Sequence, residues 1–259
     1  KKSIETIMAS GDKLAEMTED YDDLVYGFIP DYFMTEYHYP VSHKDAALVN
    51  NLTKNRAHSI WESYIRGILL LNYRFTAVNL QNKLPSTDKV IVLPSARYMA
   101  EEVQIALKTF LEEGGRVLLL GEVPVYDMEG RECNILSSAL GIKDIIKEES
   151  RPEYYLSVYS PEGSFNTPEI RVSYGEGYEI DGGRELLRIY GSDRCCAFER
   201  EVGRGKVIVM GTDYNCNLLV IKTLLEMLDC SPSLSHDCKD HGLFMTTTSN
   251  GEGERFLHI

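Results

Sequence analysis

A chain of 259 residues, 43% hydrophobic and 26% charged, can bury a sizeable core as one large domain or as one domain with a partner. Its 27 basic and 40 acidic residues leave a formal charge of −13, which weighs against nucleic acid and anionic membrane surfaces as partners. No apolar run approaches the roughly 18 residues of a membrane span.

Ile4, Ile7, Met8, Leu14 and Met17 recur on a polar background, so residues 1–20 read as a linker helix from an upstream domain. Residues 24–29 are an apolar run closed by Pro30-Asp31 and predict a first strand, followed by a long tyrosine-rich loop. Ile60, Trp61, Tyr64, Ile65, Ile68, Leu69 and Leu71 are spaced for a helix with a broad apolar face. Strands follow at 75–80 and at Val90-Ile91-Val92-Leu93, the latter apolar at every position, as burial on both faces of a sheet requires. Pro94-Ser95 is read as the end of that strand and the start of a helix, with Ser95 as its N-cap and Gly114-Gly115 beyond its C-terminus. Further strands are expected at 117–120 and 207–210, a short helix at 134–140, and a helix carrying Leu218, Leu219, Ile221, Leu224, Leu225 and Leu228.

Alternation of strands with helices predicts an α/β fold: a doubly wound, mostly parallel sheet spanning residues 21–230. Between about 146 and 202 the pattern changes to alternating apolar and polar residues between glycine and proline turns, read as an antiparallel β insertion. Gly175-Glu176-Gly177 and Gly203-Arg204-Gly205 are read as turns. Residues 231–259 look like an edge hairpin or the start of a following β domain. The opening Lys1-Lys2-Ser3 and the strand-like close suggest a fragment of a longer protein.

Neither GxGxxG nor GxxxxGK followed by Ser or Thr occurs, so no nucleotide cofactor is expected. Six widely spaced cysteines, with one vicinal pair at Cys195 and Cys196, read as reduced thiols, in keeping with a cytoplasmic location. Cys230, His236, Cys238 and His241 are of zinc-ligand type but match no standard zinc spacing, so no metal site is assigned. Ligands of doubly wound sheets bind outside the carboxyl ends of the strands. That rim holds Asp31, Tyr32, Arg97, Tyr98, Glu122, Asp213 and Tyr214, whose charges and rings suit a sugar or a neighbouring chain.

Several segments together resemble bacterial β-galactosidases of glycoside hydrolase family 35, in the region after the catalytic barrel. They are Gly27-Phe28-Ile29-Pro30-Asp31-Tyr32, Leu93-Pro94-Ser95-Ala96-Arg97-Tyr98-Met99, Gly121-Glu122-Val123-Pro124, Asp127-Met128-Glu129-Gly130 and Ala139-Leu140-Gly141. The region is also similar to the trimerisation domain of family 42 β-galactosidases, which resembles class I glutamine amidotransferases and hence a flavodoxin-like fold. The resemblance implies a parent that removes terminal β-galactose through two barrel glutamates with retention. No glutamate of this chain matches their motif, and the amidotransferase cysteine elbow has no counterpart in Leu120-Gly121-Glu122, so no catalytic residue is assigned. The implied role is non-catalytic: packing on the barrel of the same polypeptide and association into a homo-oligomer, with galactoside reached only through the parent. Rival readings are a stand-alone hydrolase or amidotransferase using Ser95 or Cys216, and a carbohydrate-binding module using the rim tyrosines.

Overall fold

The computed structural model describes residues 5, 11, 17–19, 22–33, 60–149, 156–165, 169–172, 174–213, 217–238 and 242–259. In chain order the strands are β1 (Thr18–Glu19), β2 (Leu24–Phe28), β3 (Phe75–Asn79), β4 (Val90–Ser95), β5 (Arg116–Gly121), β6 (Ile142–Glu149) and β7 (Leu156–Tyr159). They continue with β8 (Ile170–Val172), β9 (Tyr174–Ile180), β10 (Arg184–Ile189), β11 (Cys195–Val202), β12 (Gly205–Met210), β13 (Thr246–Ser249) and β14 (Arg255–His258). Four α-helices lie among the described residues: α1 (Ile60–Leu70), α2 (Glu101–Glu112), α3 (Ile135–Ala139) and α4 (Leu218–Met227). None is long and apolar enough to cross a membrane.

Eleven strands form one sheet in the order β3-β2-β4-β5-β12-β11-β10-β7-β8, with β9 joined to β11 and β6 joined to β9. The expectation of a doubly wound, mostly parallel, flavodoxin-like or amidotransferase-like sheet is therefore corrected. Four strand pairs, linking β3, β2, β4, β5 and β12, are parallel. Six are antiparallel. The alternating segment extends the same sheet, because β11 pairs with β12 over six residues and carries the ladder straight on. Its antiparallel pairing begins at Ile142 in β6, which runs against β9.

Apolar runs in β4, β5 and β12 reflect burial on both faces. Val90, Val92, Leu118, Leu120, Ile208 and Met210 face one core beneath α1 and α4. Their sequence neighbours Ile91, Leu93, Val117, Leu119, Val207 and Val209 face the other, beneath α2. A left-handed residue follows each of the four helices: Asn72 (φ 60°) after α1, Gly114 (φ 111°) after α2, Gly141 (φ 69°) after α3 and Asp229 (φ 52°) after α4. After α1, α2 and α4 the next residue's N–H reaches back to a carbonyl of the last turn, as for Gly115 to Phe110 at 2.8 Å. Ser95 is no N-cap. It is the last residue of β4, and α2 opens later, behind Ala100, without a side-chain cap.

A second sheet, β1-β13-β14, joins the two ends of the chain. It is tied to the main sheet by Asn72, whose Oδ1 accepts from the Met245 N–H at 3.0 Å, and by Arg74, whose Nη1 donates to Thr247 Oγ1 at 3.3 Å. Asp23 holds this corner from the other side, its two carboxylate oxygens accepting from the backbone N–H of Arg74 at 2.8 Å and of Ser233 at 2.9 Å. Asp23→Ala is expected to lower unfolding free energy by about 1–3 kcal/mol, since both donors lose a charged acceptor. A shifted urea midpoint at unchanged slope checks it; an unmoved midpoint refutes it.

Candidate functional site

The carboxyl ends of β4 and β5 meet β6 and β9 at a buried charged cluster. Arg97, just past β4, donates from Nη2 to Glu176 Oε1 at 3.0 Å, and its backbone N–H donates to Glu122 Oε2 at 3.2 Å. Glu122, just past β5, accepts at Oε1 from Lys147 Nζ of β6 at 2.8 Å. Glu176, on β9 and with 0% of its side chain exposed, accepts at Oε2 from the Val123 N–H and from the Tyr178 hydroxyl, both at 2.9 Å. Lys147 also lies 4.5 Å from the centroid of the buried Tyr174 ring, a cation–π contact.

Two guanidinium or ammonium groups and two carboxylates give this cluster no net charge. Burial, followed by the neighbouring Glu122 charge, holds the Glu176 carboxyl above its ordinary range. Burial works against the Arg97 charge, but Glu176 outweighs it and holds the guanidinium protonated. The Tyr174 and Tyr178 phenols are raised well above their usual values, chiefly by burial. Both carboxylates are thus spent on cations, backbone N–H groups and a phenol. A hydrolytic acid/base pair needs two carboxyl groups facing an open space for sugar and water. The arrangement instead locks the parallel half of the sheet to the antiparallel half.

Among the rim residues expected from the sequence, Arg97 and Glu122 are brought together. Tyr32 lies beside them, buried, its hydroxyl accepting from the Ala96 N–H at 3.4 Å and its phenol pushed up by burial. Asp31 is engaged elsewhere, accepting from Gln81 Nε2 at 2.7 Å. Tyr98 stacks on Tyr126 with centroids 5.3 Å apart. Asp213 is buried after β12, where its charge helps raise Tyr174. Tyr214 and Cys216 lie outside the described residues.

Sequence reasoning missed Lys147, Tyr174, Glu176 and Tyr178. Glu176 is not in a turn: Gly175-Glu176-Gly177 is the interior of β9. Ser95 is fully buried, and its Oγ donates to the Ala96 carbonyl at 3.4 Å. The vicinal thiols are buried, and burial pushes Cys195 up to about 12. His236 Nε2 pairs with Asn72 Nδ2 at 3.0 Å, while the Cys230 thiol faces the Asp23 carbonyl at 3.6 Å. No group of three or more His, Cys, Asp or Glu among the described residues is placed to hold a metal, and His241 lies outside them.

The fold matches solved β-galactosidases. The structure of a catalytic mutant of Gan42B, a GH42 β-galactosidase from G. stearothermophilus, superposes with a TM-score of 0.70 over 90% of this chain and 34% of that one, at 14% identity. The cold-adapted β-galactosidase from Rahnella sp. R3 gives 0.75 over 97% of this chain and 37% of that one, at 12% identity. Such identities establish the fold alone. The likeness thus runs to family 42, and the resemblance to family 35 is not confirmed. A β-1,2-glucosyltransferase from Ignavibacterium album is 26% identical over 159 residues, 60% of this chain and 21% of that protein. The chain therefore spans about a fifth to a third of the relatives it matches. A family model described as "GLMA-like, second domain" matches residues 43–184, more than half the length, and the chain belongs to this family of GLMA-like second domains.

Proposed function

We propose that this chain is a non-catalytic accessory domain of an enzyme acting on β-linked glycosides. In this reading it packs on a catalytic barrel of the same polypeptide, helps subunits associate, and meets galactoside only through the parent. The observation that carries the proposal is the neutralised state of the rim: Glu122 and Glu176 are buried and fully engaged by Lys147, Arg97, Tyr178 and backbone N–H groups. The fold likeness supports retaining β-galactoside hydrolysis as the parent's reaction, and a cytoplasmic location goes with it. The sequence likeness to a β-1,2-glucosyltransferase favours a second reading, in which the parent transfers glucose.

The purified chain is expected to release no nitrophenol from nitrophenyl β-galactoside above the buffer blank. Turnover that survives repurification and disappears in Glu176→Gln would overturn the accessory role. The two parent reactions separate in the full-length protein, where lactose hydrolysis marks the first and elongation of a β-1,2-linked glucan marks the second.

A further inference from the structure

The hairpin that closes the second sheet carries a reactive pair of residues. β13 and β14 pair from Thr246 with His258 to Ser249 with Arg255, so the turn between them is residues 250–254. Asn250 opens this turn and is the one asparagine of the chain that is followed by glycine. Its Oδ1 accepts from the backbone N–H of Glu252 at 3.1 Å and of Glu254 at 3.0 Å, and its Nδ2 donates to Glu254 Oε2 at 2.9 Å. The backbone closes the same loop, the Asn250 N–H donating to the Glu254 carbonyl at 3.2 Å and the Gly253 N–H to the Asn250 carbonyl at 3.1 Å. Gly251 is exposed, and a Cβ there would meet nothing within 4 Å. No acceptor among the described residues takes the Gly251 N–H.

Two backbone donors on one amide oxygen draw charge away from Cγ, and their bonds strengthen as that oxygen becomes anionic, the arrangement of an oxyanion hole. The nucleophile is the next nitrogen in the chain, that of Gly251, which no side chain shields. We propose that Asn250 is a self-modification site, where the folded turn converts its own asparagine into a succinimide. The Gly251 nitrogen gives its proton to water and bonds to Asn250 Cγ. The Cγ–Nδ2 bond then breaks, and Nδ2 takes up a proton and leaves as ammonia. Water opens the ring at one carbonyl or the other, giving isoaspartate, with the main chain rerouted through the side chain, or aspartate. Either product sets a carboxylate where Nδ2 met Glu254, so like charges replace a hydrogen bond. Isoaspartate also lengthens the main chain by a carbon, which breaks the pairing of Asn250 with Glu254 that closes β13 on β14. The sheet joining the two ends of the chain is thereby loosened in one direction only.

The inference stands on the turn itself and not on the accessory role argued above. Its test is peptide mapping by mass spectrometry of the whole chain held in mildly alkaline buffer, once folded and once in urea. Aspartate and isoaspartate should accumulate at position 250 ahead of every other asparagine, at least as fast in the folded chain as in urea. Gly251→Ala, which meets no clash and no positive φ, should slow the conversion by about tenfold or more, because a Cβ crowds the attacking nitrogen. In the converted chain the amides of β13 and β14 should exchange faster with solvent, while those of β4 and β5 keep their protection. Conversion slower in the folded chain than in urea would overturn the proposal, as would conversion that Gly251→Ala does not slow, or hairpin amides whose exchange it leaves unchanged.

Discussion

Glu176→Ala is expected to lower the unfolding free energy by about 3–5 kcal/mol, the range found when one partner of a buried ion pair is removed. Three donors lose their acceptor at once: the Arg97 guanidinium, the Val123 N–H and the Tyr178 hydroxyl. Glu176→Gln should cost less, because an amide oxygen can still accept from Val123 and Tyr178, although its NH₂ group would face Arg97. The glutamine variant also carries a pH signature. A carboxyl raised in the folded state binds more protons folded than unfolded, so its contribution is full below its ordinary 4.5 and is lost as pH rises through the folded value. Glu199 has the opposite slope: burial pushes it up, but hydrogen bonds from Lys206 and Arg184 prevail and hold it below 4.5. Its contribution is present above 4.5 and lost as pH falls through its folded value. In the unaltered protein Glu176 therefore adds stability as pH falls through its folded value toward 4.5, above the range in which Glu199 loses it. Lacking that gain, Glu176→Gln should lose more stability than the unaltered protein between neutral pH and about pH 4, as read from urea midpoints. Equal acid slopes in the two proteins would refute the assignment.

The parts of the fold that were legible are those whose pattern depends on local burial. Runs such as Val117 to Leu120 are apolar at every position because neighbouring residues face different cores, and that marks interior strands without reference to any partner. What could not be read was the sheet as a whole. Alternation in 184–189 or 195–202 shows that one face is buried but not which strand lies alongside, and pairing with β12 makes this segment half of a mixed sheet. The site divides along the same line. Arg97 and Glu122 follow interior parallel strands, so their place at the rim could be inferred. Glu176 was hidden by its flanking glycines, which ordinarily signal a turn. Here they serve close packing inside a strand. A Cβ on Gly175 would lie 3.2 Å from both Ile189 and Leu156, and one on Gly177 would lie 2.8 Å from Arg194 Cβ. Lys147 was missed because its arrival at Glu122 depends on the β6–β9 pairing, a contact between segments about thirty residues apart.

Gly121→Ala should be the most damaging small substitution at the rim, at about 2–4 kcal/mol, because two separate effects add there. The first is conformational. Gly121 closes β5 with φ +98°, a region that L side chains rarely adopt. The second is steric: an added Cβ would stand 2.7 Å from the Ser95 carbonyl oxygen and 3.0 Å from Ile60 Cδ1. That carbonyl also accepts from the Glu122 N–H at 3.2 Å, so displacing it moves the residue that receives Lys147 and the Arg97 backbone N–H. Gly130 separates the two effects. It has φ +80°, but a Cβ there meets nothing within 4 Å, so Gly130→Ala should carry only the conformational part, about 1–2 kcal/mol. The excess of Gly121→Ala over Gly130→Ala, measured by urea unfolding, reports the close approach of β4 and β5 beneath the charged cluster. If the two variants were equally stable, the rim would tolerate a methyl group at its tightest point, and the rigidity assigned to the cluster would be wrong.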